Sequence, residues 1–492
     1  MSARLVNEYK STIQPTDHPY LTGAWTPSTK EYDAEDMTVI GEIPKDLSGI
    51  YIRNTENPLH EAIGVYHPFD GDGMLHAISF KDGKATYRNR FVRTEGFEAE
   101  QAAGQSLWAG VATNPAKSIR DDGWGARGRM KDASSTDVVV HAGEIVSTFY
   151  MCGEGYLLDP YTLEPKGTAA WVPDHGVSAH PKIDPRTGEM LFFNYFKEPP
   201  YYNYGVVGPD KKLKHFVPIE LPGARMPHDM TFTENYAIHI DLPLFWEAEL
   251  LKRGIHSVQF HDSLPTRFGI IPRMGSANEI KWFEAAPTYV LHWVNAYEEG
   301  DEVVVDGYFQ EDPDPEPLEW KDGDKRFGKL LANIDGLSFR PKLHRWRFNM
   351  RTGETREERL HDSIVEFGTM NQQFAGIKNR YVYSKTFIPG RFLFGGVTKH
   401  DLETGDSATL EFGEQRYGSE APFAPRIGAE SEDDGYLVSF ITDMKEDRSE
   451  CIIVDAKDLE AGPVARIILP QRISSGTHAT WASHDEIAPF RS

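Results

Sequence analysis

The chain has 492 residues, and 52 Lys and Arg against 75 Asp and Glu leave a formal charge of −23 at neutral pH. Such a field repels phosphate backbones, and no concentrated basic patch offsets it, which excludes nucleic acid as a partner. With 12% aromatic residues, 43 Gly and 32 Pro, the composition is that of a folded, turn-rich chain with a large core, either roughly two to four average domains or one large β domain.

Only Cys152 and Cys451 are present, each in an apolar stretch. A disulfide framework or thiolate metal site therefore has almost no material, and a reducing compartment, the cytoplasm, is expected. Residues 1–10 lack the apolar stretch of a secretion signal, and no run of about 18 apolar residues is available to span a bilayer.

Strands are predicted at 49–53, 137–140, 189–193, 302–306, 381–383, 435–440 and 465–469, runs rich in β-branched and aromatic residues and bounded by Gly, Asp, Asn or Pro. Helix is expected only in islands, at 97–108 and in the amphipathic 244–252. The segment 310–328, with Asp312-Pro313-Asp314-Pro315, reads as a solvated loop. Gly123-Trp124-Gly125-Ala126-Arg127-Gly128 satisfies G-x-G-x-x-G but follows charged residues where a dinucleotide site needs a strand, so it too reads as a loop. P-loop, H-E-x-x-H and G-x-S-x-G signatures are missing.

One turn unit recurs. Asp159 opens 159–164, Asp184 opens Asp184-Pro185-Arg186-Thr187-Gly188-Glu189, Asn349 opens Asn349-Met350-Arg351-Thr352-Gly353-Glu354, and Asp401 and Asp455 open similar stretches. An Asp or Asn opening a tight turn, with Thr-Gly or a near substitute before the next strand, is hairpin chemistry. Such hairpins serve any antiparallel β protein, and their repetition is what a β-propeller with inserted loops would show.

Eighteen histidines and almost no cysteine make imidazole the natural ligand for any bound metal. His18, His60, His141, His215, His361, His400 and His484 lie in polar or turn contexts and are expected at the surface. His180, His228, His292 and His478 sit in or beside strand-like apolar segments. Each alone reads more readily as a hydrogen-bonded core residue than as a ligand. Spread along the chain as they are, the four also fit convergence on a propeller axis.

Five stretches, His67-Pro68-Phe69-Asp70-Gly71-Asp72-Gly73, Ala179-His180-Pro181-Lys182, Pro227-His228-Asp229-Met230, His292-Trp293-Val294-Asn295 and Gly418-Ser419-Glu420-Ala421-Pro422, in that order, resemble the carotenoid cleavage oxygenase family. The resemblance implies a single domain over 1–492, an all-β, seven-bladed β-propeller with a helical cap built from inter-blade insertions. It implies a non-haem Fe(II) held by His180, His228, His292 and His478, with Glu154, Glu366 and Glu420 accepting ring N–H groups from the ligands. The implied reaction takes O2 as co-substrate and splits a C=C bond of an apocarotenoid or carotenoid into two carbonyl products, with Phe69 and Phe367 lining an apolar tunnel. The substrate is then a lipophilic small molecule, and 242–246 is the candidate for peripheral membrane contact. Two departures stand out. Stilbene-cleaving members place a Lys where this chain has Gly153, and Ala479 stands where a Gly commonly follows the last ligand. The rival readings are a phenylpropanoid or stilbene alkene oxygenase on the same fold, and a propeller that binds ligands without metal.

Overall fold

The computed structural model describes residues 2–123, 130–249, 258–319 and 327–490. Strands dominate and the α-helices among these residues are short, so the chain is all-β. Its contacts fall into two compact units, Met1–Ala179 with Leu410–Ser492, and His180–Thr409.

In the first unit a six-stranded sheet runs in the spatial order Ser2–Glu8, Lys30–Glu35, Lys84–Phe91, Met74–Lys81, Gly49–Arg53, Ala479–Ser483. Its neighbours are antiparallel, and the last strand pairs residue for residue with Gly49–Arg53. Gly435–Asp443, Arg448–Asp455 and Pro463–Ile468 form an antiparallel meander. Tyr51, Phe80, Tyr87, Phe440 and Ile453 fill the core beneath these strands, each large side chain contributing about 1.5–3 kcal/mol by leaving water.

The second unit contains three four-stranded antiparallel meanders. They begin at Lys182–Ile183, at Thr231–Phe232 and at Trp293–Glu299. The first shows how sequence encodes position. Every residue of Met190–Tyr195 and Tyr202–Val207 is buried, while Leu213–Pro218 is mostly exposed. Inner strands covered on both faces need no alternation of polarity, so they appear as unbroken apolar runs. Trp293, Trp346, Phe268 and Phe348 pack together at the centre of this unit.

The recurring turn unit is built the same way at the three Thr-Gly sites. Asp184 Oδ1 accepts the Arg186 N–H at 3.0 Å and its carbonyl accepts the Gly188 N–H at 2.8 Å. Asn349 does likewise for Thr352 (2.8 Å) and Gly353 (2.9 Å), and Asp401 for Glu403 (3.0 Å) and Gly405 (2.8 Å). The three glycines hold φ of +70°, +81° and +79°, which is why Thr-Gly recurs there.

Some expectations are corrected. The helix expected over 97–108 is Glu95–Ala103, opened by the Thr94 side chain on the Phe97 N–H and ended by left-handed Gly104. Within 244–252, Leu244–Trp246 is a strand paired with Val258–Phe260, 248–249 are helical, and 250–252 lie outside the described residues. Leu242 and Trp246 are buried, so this stretch offers little apolar surface. Of the G-x-G-x-x-G run, 124–128 lie outside the described residues, as do 320–326 of the expected loop, whose first residue, Gln310, ends a strand. Four histidines expected at the surface are buried: His18, His60, His141 and His400. Tertiary packing covers them on different terms: His60 meets Thr12 Oγ1 at 3.2 Å and Gln101 at 3.1 Å, whereas neither ring nitrogen of His400 has a hydrogen-bond partner among the described residues.

Candidate metal centre

His180, His228 and His292 stand two, three and one residues ahead of the strands that open the three meanders, and His478 directly precedes Ala479–Ser483. A strand entrance suits a ligand, because backbone not yet committed to the ladder can aim a side chain. His180 does so with φ +66°, in the left-handed region that His tolerates better than β-branched residues.

The ring centroids of His180, His228 and His292 lie 4.7, 5.0 and 5.1 Å apart. One ring nitrogen from each of His180, His228, His292 and His478 lies within 4.8 Å of the others. Two nitrogens held at about 2.1 Å from one ion at a right angle would sit about 3.0 Å apart, and His180 Nε2 is 3.1 Å from His228 Nε2. The donor set fits a divalent transition metal that accepts imidazole.

Glu366 fixes His292. One carboxylate oxygen accepts the His292 backbone N–H at 3.0 Å and the other takes the ring Nδ1–H at 2.7 Å, leaving Nε2 with its lone pair for a metal. Glu420 stands 3.4 Å from His478 Nδ1 and accepts the Ala479 N–H at 2.7 Å. Burial lowers the pKa of His478, but the charge and hydrogen bond of Glu420 outweigh it, so the net shift is upward. Glu154 is half-buried; its N–H donates to Asp132 Oδ2 at 2.7 Å, and it lines a cavity with Glu95, Trp108 and Arg120. Gly153 is packed so closely that a Cβ there would meet Asp132 Oδ2 at 2.4 Å.

Phe367, itself at φ +54°, lays its ring 4.4 Å from that of His292 and 4.8 Å from Phe394. It thus forms an aromatic wall against a candidate ligand. Phe69 is half-buried against Tyr150 (5.7 Å) and His67 (5.0 Å). Its turn is pinned because His67 Nδ1 accepts the Phe69 N–H and Asp70 accepts the His67 N–H.

Two buried acids escape the sequence reading. Glu56 accepts the Thr477 hydroxyl at 2.9 Å, its other oxygen has no hydrogen-bond partner among the described residues, and burial raises its pKa to about 7. Asp229 contacts Lys182, Met230 and Trp293, and burial raises its pKa against the pull of Lys182. Its adjacency to His228 was the only available signal.

An all-β chain that gathers four imidazoles, two of them met by buried carboxylates, defines a polyhistidine metalloprotein. The family model described as retinal pigment epithelial membrane protein matches residues 25–483. A carotenoid 9,10(9',10')-cleavage dioxygenase of Phaseolus vulgaris is 33% identical over 96% of this chain and 90% of its own length. Isoeugenol monooxygenase of Pseudomonas putida is 31% identical over 94% and 98%. Among solved structures, Pseudomonas brassicacearum lignostilbene dioxygenase superposes with a TM-score of 0.82 at 27% identity, covering 96% of this chain and all of that one. The cobalt-substituted Synechocystis ACO superposes at 0.81 and 27%, covering 94% and 98%. The chain belongs to the carotenoid oxygenase family.

Proposed function

We propose that this chain is a non-haem Fe(II) dioxygenase that cleaves a C=C bond of a carotenoid or apocarotenoid into two carbonyl products, using O2. The carrying observation is the four-imidazole cluster in a chain whose relatives include carotenoid cleavage dioxygenases at 33% identity over nearly its full length. His180, His228, His292 and His478 are the ligands, and the iron they hold supplies the one-electron chemistry with O2 that Zn2+ lacks.

The chain's own residues do the rest. Glu366 and Glu420 hold ring protons at Nδ1 and bring negative charge that neutral imidazoles do not; Glu154 serves the same purpose for a further ligand. Phe367 and Phe69 are substrate-contacting rings: flat apolar walls bind a polyene through contact area and orient it without a polar anchor. The proposed architecture is a seven-bladed propeller with a helical cap, formed by one domain over 1–492. It is supported by the repeated meanders that a ligand precedes and by a family match unbroken from 25 to 483. A cytoplasmic location is supported by two buried cysteines that form no disulfide.

A phenylpropanoid or stilbene substrate is the second reading, favoured by the similarity to isoeugenol monooxygenase and lignostilbene dioxygenase. Against it, Gly153 supplies no polar group for a phenol, and an unpaired buried hydroxyl costs about 1–3 kcal/mol. The test is to load the purified protein anaerobically with Fe(II), add O2, and identify products from a panel of apocarotenals, isoeugenol and 4-hydroxystilbenes. Aldehydes and ketones from a polyene, with the highest kcat/KM in the panel, are expected. Efficient turnover of the phenols with untouched polyenes would move the assignment to the second reading.

A further inference from the structure

We propose that Asp229 is a positioning residue that sets the mutual geometry of His180, His228 and His292, acting through backbone and Lys182 without touching the metal. The inference rests on reading those three histidines as ligands. Asp229 is 3% exposed, and its two oxygens collect donors from each of the three histidine segments. Oδ1 accepts the Lys182 ammonium at 2.7 Å, two residues after His180, and the Met230 N–H at 2.7 Å, two residues after His228. Oδ2 accepts the N–H of Trp293, the neighbour of His292, at 2.9 Å.

The effect is sharpest at His292. Its own N–H is held by Glu366 Oε1 at 3.0 Å and the next N–H by Asp229, so the peptide groups on both sides of the His292 α-carbon are fixed by buried carboxylates. Glu366 also fixes the ring. For His180 the link runs through Lys182, which sits in Lys182–Ile183 and is anchored by pairing with Leu191. His180 adopts a left-handed conformation that a non-glycine residue keeps only where its surroundings enforce it. One carboxylate thereby ties together entrances of three different meanders. A buried carboxylate with this many charge-assisted bonds is rigid, and rigidity of the ligand backbone is what a preorganised metal site needs.

The experiment titrates metal-free wild type, Asp229→Asn, Lys182→Met and the double variant with Co(II) under nitrogen. It reads Kd and the d–d absorption bands, with thermal unfolding of each metal-free protein alongside. Wild type is expected to bind one Co(II) per chain. Asp229→Asn, which keeps the shape but loses the charge, should bind about tenfold more weakly, in the range for groups that orient ligands, and with altered d–d intensity. Lys182→Met should weaken binding less, and the double variant should be no worse than Asp229→Asn, because the two residues act as a pair. Lowered unfolding temperatures with unchanged Kd and bands would make Asp229 an ordinary buried ion pair and overturn the proposal. If Asp229→Asn fails to fold, Lys182→Met decides: unchanged affinity and spectrum in that variant overturn it. A wild type that takes up no Co(II) refutes the four-histidine reading itself, which is a distinct result.

Discussion

Glu366 and Glu420 meet their histidines on different terms, and the difference is measurable. Glu366 holds both the ring and the backbone of His292 at short range, whereas Glu420 gives its best bond to Ala479 and stands 3.4 Å from the His478 ring. Removing such a partner typically costs about 10 to 100-fold in metal affinity or activity. Glu366→Gln should fall at the severe end and Glu420→Gln at the mild end, as read by chelator competition and kcat; equal losses would mean the distances do not govern the effect. At Gly153 a Cβ would run into Asp132, so Gly153→Lys should be destabilised by packing alone. Gly153→Ala should already reduce stability, and a wild-type unfolding temperature in that variant would refute the packing account. His400 lies far from this chemistry in kind. It is 2% exposed, both ring nitrogens lack a hydrogen-bond partner among the described residues, and burial, aided by His361, lowers its pKa to about 3. The unfolded chain, with an ordinary histidine near 6.5, binds the proton first. Stability is therefore full above that value and declines by about 1.4 kcal/mol per unit as pH falls toward 3. His400→Phe should raise stability at pH 7 and flatten the profile between pH 6 and about 4 in urea titrations; an unchanged slope there would show that other groups set the acid limit.

The hairpin unit shows what an element owes to two residues. Gly353 sits at φ +81° with open space where a Cβ would go, so Gly353→Ala isolates the backbone cost of a left-handed residue, about 1–2 kcal/mol. Gly353→Asn should lose less, since Asn accepts that conformation; equal losses in denaturant melts would point away from φ. These turns were legible because Asp, Thr and Gly do their work locally. Central strands were legible as apolar runs for the reason already seen at Met190–Tyr195. The segment 244–252 was not, because a helical spacing of apolar residues says nothing about the partner strand Val258–Phe260 that claims Leu244–Trp246. Edge strands such as Leu213–Pro218 escaped for the opposite reason, being too polar to stand out. His18, His60, His141 and His400 were misplaced since burial of a polar stretch depends on what folds over it, and His141 and His400 belong to strands. The four candidate ligands were legible chiefly through the family motifs; pattern alone left each as a core histidine. Glu56 gave no sign in the sequence and Asp229 only its place beside His228, for a buried acid in sequence looks like any surface acid.

At the level of the whole chain, a metal held by residues as far apart in sequence as His180 and His478 links loading to stability. Metal at 100 times its Kd should stabilise the native state by about 2.7 kcal/mol, so chelation should lower the unfolding temperature of a chain this long by about 2–3 °C and Fe(II) or Co(II) should restore it. No change on chelation would mean that the folded protein gains nothing from the ion. The pairing of Gly49–Arg53 with Ala479–Ser483 carries a consequence for the chain while it is being made. Glu56 and the Thr477 that hydrogen-bonds it are 421 residues apart, and ribosomes add about 5–20 residues per second. For roughly 20 to 85 s, then, the apolar strand Gly49–Arg53 waits with an open edge for a partner not yet translated. Yield in a heterologous host should therefore depend on growth temperature and on chaperones that shield that edge, and the four-histidine cluster is complete only once synthesis has passed His478.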